Sequence, residues 1–203
     1  MSDHPGLTAE NLGKLLAANG IEVQGELHIE LISGGRSNLT FTVRDDVHHW
    51  VARRPPMAGL TPSAHDMERE WAVTSALTGT AVPVATPVAI DRTGELIGAP
   101  CTVVEFVDGQ VIRSVDDLGA WTDQQVTDNF DALVGTLADL HAVDYRQVGL
   151  ADFGRPEGFA ARQVKLWGRQ WGIVKTRELD DVEKLVAALT ERVPAQARST
   201  IVH

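Results

Sequence analysis

The sequence is poor in cysteine and has no long apolar run, and both absences limit what the protein can be. Its one cysteine, Cys101, excludes a disulfide within the chain and favours a reducing environment. No apolar stretch approaches the ~20 residues that a membrane-spanning helix needs. The first residues have neither the basic start nor the apolar core of a signal peptide. We therefore expect a cytoplasmic protein with no membrane partner.

Basic residues are also few. Lys and Arg number 18 against 28 Asp and Glu, so the formal net charge is -10. Such a surface repels the phosphate backbone of nucleic acids and anionic lipid headgroups. Nucleic acid is therefore not an expected partner, whereas small-molecule chemistry remains open.

The first half of the chain has the patterns of a β-rich lobe. Alternating apolar residues predict three antiparallel strands joined by tight turns, over residues 21–32, 38–44 and 50–53. Helices are predicted at 8–19 and 63–77, and the apolar run at 101–107 is typical of a central strand.

The second half has helical periodicity. Apolar residues recur every three or four positions in 122–142, in 159–174 and between 182 and 193, and residues 199–202 have the pattern of a beginning strand. These patterns predict an α+β fold of two lobes, residues 1–108 and 109–203.

Two short segments could contact a phosphate. Gly34 and Gly35, followed by Arg36 and Ser37, form a turn whose backbone amides could approach phosphate oxygens. A hairpin turn that binds no ligand is the alternative. Arg53, at the end of the third strand, could hold phosphate, although a solvated arginine at a strand end fits the same pattern.

Other charged residues are candidates for the same site. Glu70 falls within the apolar stripe of the 63–77 helix, where a carboxylate needs a cationic partner such as Arg53. The strand that ends at Glu105 and Val107 could offer backbone groups to a purine, or could be a plain interior strand. A basic stripe of Arg162, Lys165 and Arg169 could contact an anionic substrate group or form a solvated helix face.

The order of these features resembles protein-kinase-like enzymes, and their details resemble the aminoglycoside phosphotransferase and choline-kinase-like family. The matching segments are ISGGRSNLTF, WVARRPP, MEREWAVTSAL, VPVATPVAI, VVEFVDGQVI and LADLHAVD. The WVARRPP segment and residues 162–171 resemble the branch of phosphotransferase domains associated with acyl-CoA dehydrogenases. The resemblance implies a β-sheet N-lobe with one inward helix and a partial helical C-lobe.

The resemblance also implies roles for the candidates. Residues 34–37 would cover the ATP phosphates, Arg53 would contact them in place of the usual lysine, and Glu70 would hold Arg53. The backbone of Glu105 and Val107 would bind adenine.

The family's catalytic loop reads His-Gly-Asp, followed four residues later by Asn, and only its first residue, His203, is present. No catalytic residue and no Mg²⁺ ligand is therefore identified in this chain. We expect a portion of an ATP- and Mg²⁺-dependent kinase for a small-molecule hydroxyl, inactive by itself. We also expect self-association or a homodimer through apolar surface that the rest of such a domain would cover.

Two alternatives are a pseudokinase that binds nucleotide without turnover and a plain α+β binding domain. The hydroxyl acceptors considered are aminoglycosides, amino alcohols, sugars and hydroxyacyl thioesters.

Overall fold

The computed structural model describes residues 7–32, 38–56 and 66–202, which form two compact units, residues 1–139 and 140–203. The first unit contains α1 (Ala9–Ala18), α2 (Met67–Leu77) and strands β1 (His28–Leu31), β2 (Leu39–Arg44), β3 (His49–Arg54), β4 (Pro87–Asp91) and β5 (Cys101–Glu105). A 3-10 turn (Val115–Leu118) precedes α3 (Asp123–Ala142), whose last residues belong to the second unit. The second unit contains α4 (Phe159–Val174) and α5 (Asp180–Glu191). The predicted boundary between residues 108 and 109 stays a prediction.

The five strands form one antiparallel sheet in the order β1-β2-β3-β5-β4. One face packs against α1, which begins where the Thr8 hydroxyl accepts a hydrogen bond from the Asn11 amide at 3.2 Å. The core on this face consists of buried apolar residues from α1 and four strands, among them Leu12, Leu15, Leu16, Phe41, Val43, Trp50, Ala52, Ala89 and Val103. This core joins the sheet to α1, and α2 also contacts strands β4 and β5.

The first predicted strand is wrong over most of its length, because only His28–Leu31 pairs with β2. Gly25 adopts a φ of +82°, which breaks an extended strand, and the Gln24 amide donates to the Asp45 carboxylate at 2.8 Å instead of to a neighbouring strand. The alternation of residues 21–27 therefore belongs to a loop.

Helix α2 begins later than predicted. Asp66 occupies its N-cap position, with the carboxylate accepting from the Arg69 amide at 2.9 Å, so the helix starts at Met67. Residues 63–65 of the predicted helix lie outside the described part of the chain. Met67 and Leu77 are buried, as an inward stripe requires.

In the second unit, α4 and α5 pack closely at Gly168, where a Cβ atom would lie 3.0 Å from a methyl group of Val186. The Trp171 indole donates to Glu183 at 3.1 Å, which joins the two helices further along. Residues 199–202 form no strand, contrary to the prediction. Instead, the Thr200 hydroxyl donates to the His141 carbonyl.

Large apolar side chains remain exposed on all three long helices, including Phe130, Leu133, Trp167, Ile173 and Leu185. The self-association predicted from such a surface stays a prediction. No helix in the described part of the chain is both long and apolar enough to cross a membrane.

Candidate nucleotide-binding face

Strand β3 sends its side chains alternately to the two faces of the sheet. Trp50, Ala52 and Arg54 are buried on the core side, whereas His49, Val51 and Arg53 are half-buried on the opposite side. The second set forms a surface that we call the Arg53 face.

Arg53 and Glu70 meet on this face. The Arg53 Nη1 atom lies 3.3 Å from Glu70 Oε2, and the two side chains are 43% and 41% exposed. Glu70 is therefore half-buried at the rim of the sheet and does not point fully into a core, as its stripe position had suggested. Because both side chains are partly exposed, forming this ion pair costs little desolvation free energy.

Hydroxyl groups flank Arg53 on both neighbouring strands. Thr40 of β2 and Thr102 of β5 are its direct cross-strand partners, so their side chains lie on the same face. Thr102 is buried, and Thr40 is half-buried. The surroundings of Arg53 are therefore polar and can donate hydrogen bonds.

The end of β5 offers backbone groups beside this face. The Glu105 amide already donates to the Thr86 carbonyl at 2.9 Å, and the Phe106 amide donates to the His49 carbonyl at 3.0 Å. Val107 is 67% exposed, and its backbone makes no hydrogen bond within the described residues. Of these three amides, the one of Val107 remains available to a ligand.

Aromatic contacts stabilise this segment. The rings of His49 and Phe106 stack at 3.7 Å with an interplanar angle of 10°, and His49 Nε2 lies 2.7 Å from the Thr42 hydroxyl. Burial lowers the pKa of His49, the nearby Arg44 cation lowers it further, and Asp108 opposes both. His49 is therefore a neutral ring at physiological pH that supports the end of β5.

The remaining predicted site residues, Gly34, Gly35, Arg36, Ser37 and His203, lie outside the described residues. Their predicted roles stay predictions. The described chain brings together Arg53 and Glu70 by direct contact, and it places Glu105 and Val107 at the end of the strand next to β3.

A family model described as "Phosphotransferase enzyme family" matches residues 28–203. The chain belongs to this phosphotransferase family. Similar proteins include acyl-CoA dehydrogenase family member 10 of Mus musculus, 29% identical over 91% of this chain and 17% of the relative. Member 11 of Gallus gallus is 30% identical over 84% of this chain and 22% of the relative. The phosphotransferase chain thus spans about a fifth of the length of these relatives, and the branch resemblance inferred from the sequence is confirmed.

A solved structure supports the fold. The crystal structure of a candidate aminoglycoside phosphotransferase from Ralstonia eutropha superposes with a TM-score of 0.76 at 28% identity, over 95% of this chain and 56% of that one. The predicted α+β, protein-kinase-like fold is confirmed.

Sequence reasoning missed His49 and Val51 of the Arg53 face, and it missed the threonines on the neighbouring strands, Thr40, Thr42 and Thr102. The period of two along each strand could have identified them, because His49 and Val51 stand four and two positions before Arg53.

Sequence reasoning also did not predict that the Arg54 side chain is buried. This side chain is only 1% exposed, and its guanidinium lies 5.9 Å from the centre of the Phe41 ring. Burial lowers the pKa of Arg54, an effect that Cys101 opposes, and burial raises the pKa of the Cys101 thiol to about 12. Arg54 is therefore a core residue, and Cys101 is a thiol at neutral pH and a poor nucleophile.

Proposed function

We propose that this chain carries the nucleotide-binding part of a cytoplasmic, ATP-dependent kinase for a small-molecule hydroxyl. The Arg53–Glu70 ion pair carries the proposal, because it holds a cation at 3.3 Å from its carboxylate on a half-open polar face. A guanidinium fixed in this way can contact phosphate oxygens with two donors at once. Membership of a phosphotransferase family supports the same reading.

The adenine would lie at the end of β5. Because the Glu105 amide is already bonded to Thr86, Glu105 would contribute its carbonyl oxygen as an acceptor for the adenine amine. Val107 would donate its backbone N–H to a ring nitrogen. Gly34, Gly35, Arg36 and Ser37 would cover the phosphates.

Mg²⁺ is the expected metal of such a reaction, where it neutralises phosphate charge. In the described part of the chain, no group of three or more His, Cys, Asp or Glu side chains could hold a metal. We propose that the protein ligands of Mg²⁺ are not among the described residues of this chain. For the same reason, the 203-residue chain alone is proposed to bind nucleotide without transferring phosphate.

The acceptor is proposed to be a hydroxyacyl thioester or a related metabolic hydroxyl compound. The support is that similar proteins are named acyl-CoA dehydrogenase family members 10 and 11. A nucleotide-binding module without turnover is the second candidate, because the Arg53–Glu70 ion pair and the free Val107 amide concern nucleotide binding alone. Phosphoryl transfer by the full gene product would exclude that second candidate.

The test is a titration with a fluorescent ATP analogue. Arg53→Met removes the charged contact and should weaken binding about 10- to 100-fold, since a hydrogen bond to a charged group contributes roughly 1.5–3 kcal/mol. Glu70→Gln removes only the group that orients Arg53 and should weaken binding by a smaller factor.

Arg92→Met is the matched control. Arg92 pairs at 3.4 Å with Glu68, which lies on α2 as Glu70 does. Both side chains of this pair are exposed. This control should bind the nucleotide as the unmodified chain does. An affinity of Arg53→Met within about twofold of the control would refute the assignment of the phosphate contact, because the lost contact is expected to cost at least tenfold.

A further inference from the structure

The second unit contains a cavity of about 420 Å³ that is separate from the residues of the Arg53 face. Its lining includes three arginines, two acidic residues and the chain's only tyrosine: Tyr145, Arg146, Asp152, Arg155, Glu157 and Arg162. Cavities of 300–1,000 Å³ are typical of small-molecule sites. Three arginines around one cavity are notable in a chain whose net charge is -10.

The three arginines have different environments. The Arg162 guanidinium donates to the backbone carbonyls of Glu157 and Arg155, so it shapes the loop that forms the cavity wall. The Arg146 guanidinium lies 4.7 Å above the Tyr145 ring and 4.0 Å from the Glu157 carboxylate. Within the described residues, the exposed Arg155 guanidinium has neither a hydrogen bond nor an ion pair. Arg155 is therefore the cation available to a ligand.

Tyr145 supplies the second observation. Its side chain is only 8% exposed, and its hydroxyl has no hydrogen-bond partner within the described residues. Leaving a buried hydroxyl unpaired is unfavourable, so a ligand in the cavity that reaches it after the Arg146 side chain moves would gain this hydrogen bond. The ion pair between Arg146 and Glu157 is long, at 4.0 Å, and exposed, so it would oppose such a movement only weakly.

The cavity also lies at the start of α4, where the helix dipole attracts an anion. Arg155 and Glu157 lie just before Phe159, the first residue of the 16-residue helix, where the helix dipole is positive. The Phe159 amide is already bonded to the Gln196 side chain at 3.1 Å, so the dipole contributes a field here and this amide contributes no direct contact.

We propose that this cavity binds a small molecule through an anionic group, either a phosphate monoester or a carboxylate. Arg155 holds the anion, Tyr145 donates its hydroxyl to it, and Asp152 accepts a hydrogen bond from a hydroxyl of the same molecule. The inference concerns residues 140–203 and does not depend on nucleotide binding by the Arg53 face.

The experiment titrates the full chain with methyl phosphate and with acetate, monitored by amide chemical shifts. At least one of the two should bind and shift resonances of residues 145–162. Arg155→Gln should weaken that binding about 10- to 100-fold, because it removes charge-assisted hydrogen bonds. Tyr145→Phe should weaken it about fivefold and should not lower the melting temperature, since the hydroxyl has no partner in the free chain.

Arg177→Gln is the control, because Arg177 is an exposed arginine of the same unit that does not line the cavity. It removes the same charge and should leave binding unchanged. The proposal is overturned if neither anion binds, or if Arg177→Gln weakens binding as much as Arg155→Gln does. Loss of methyl phosphate binding in Arg53→Met with full binding in Arg155→Gln would also overturn it, because the anion would then occupy the Arg53 face.

Discussion

Asp91, at the end of β4, organises the turn that leads into β5. Its carboxylate accepts hydrogen bonds from the backbone amides of Gly94 at 2.8 Å, Leu96 at 3.0 Å and Ile97 at 3.0 Å. Asp91 itself is 6% exposed, and Ile97 is fully buried. Replacing Asp91 with alanine therefore removes three hydrogen bonds to backbone amides, and a longer one from the Thr93 hydroxyl at 3.4 Å, from a turn that water reaches poorly.

The size of the effect follows from burial. The buried Ile97 amide would lose its partner at a cost of roughly 1–3 kcal/mol, and the half-buried amides of Gly94 and Leu96 would add up to about 1 kcal/mol by bonding water instead. Asp91→Ala should thus lower the free energy of unfolding by about 1–4 kcal/mol, a large part of the ~5–15 kcal/mol of a typical domain. Asp91→Asn keeps one acceptor oxygen and should cost less.

Asp117 provides the matched control. Its carboxylate also accepts from two backbone amides, those of Arg113 at 2.7 Å and Ser114 at 2.8 Å, but Asp117 is only half-buried and the two amide residues are exposed. Water can replace these bonds, so Asp117→Ala should cost less than about 1 kcal/mol.

The assay is equilibrium unfolding in urea, followed by circular dichroism. The reasoning is refuted if Asp91→Ala destabilises the protein no more than Asp117→Ala does, because burial would then not govern the cost.

Three other changes test the structure. Gly94→Ala should destabilise the protein by about 1–3 kcal/mol more than Gly79→Ala does in thermal unfolding. Both glycines have φ near +80°, but only at Gly94 would a Cβ atom lie 2.8 Å from the Ala99 backbone. Equal losses of stability in the two variants would contradict this. Since the pKa of His49 is lowered in the folded chain, its contribution to stability is present above pH 6.5 and lost as the pH falls through the folded pKa. His49→Gln should flatten that part of the pH profile in urea unfolding, and an unchanged profile would argue against it. Burial raises the pKa of Asp45, but hydrogen bonds from Gln24, His48 and Val47 outweigh it and hold the pKa well below 3.8, so this stabilisation is lost in acid below that pH. Asp45→Asn should remove this acid dependence, and a variant as acid-sensitive as the parent would show that other carboxylates cause it.

The parts of the fold that the sequence predicted well are those where local pattern and packing agree. Strands β2 and β3 alternate because one face of each lies against α1, and α4 spans the predicted residues 159–174. The predictions failed where partners distant in sequence decide the structure. The alternation of residues 21–27 has no neighbouring strand to pair with, and residues 199–202 bond through Thr200 to His141 instead of to a strand.

In the candidate site, too, the sequence predicted some features and not others. The sequence spacing indicated that Glu70 needs a cation and that Arg53 was available, and the structure places the two 3.3 Å apart. The burial of Arg54, one residue later, has no local signal except the period of the strand, because arginine is seldom fully buried. The free amide of Val107 depends on which hydrogen bonds Thr86 and His49 form with the preceding residues, and no sequence pattern reports that.

The measurement that tests nucleotide binding most directly is the amide spectrum of the Val107 N–H on addition of ATP. Its backbone makes no hydrogen bond within the described residues, whereas the Glu105 amide is already bonded to Thr86 at 2.9 Å. We predict that the Val107 proton moves downfield and exchanges more slowly with solvent, while the Glu105 proton keeps its protection. An unchanged Val107 amide at saturating ATP, or changes confined to residues 140–203, would contradict the account.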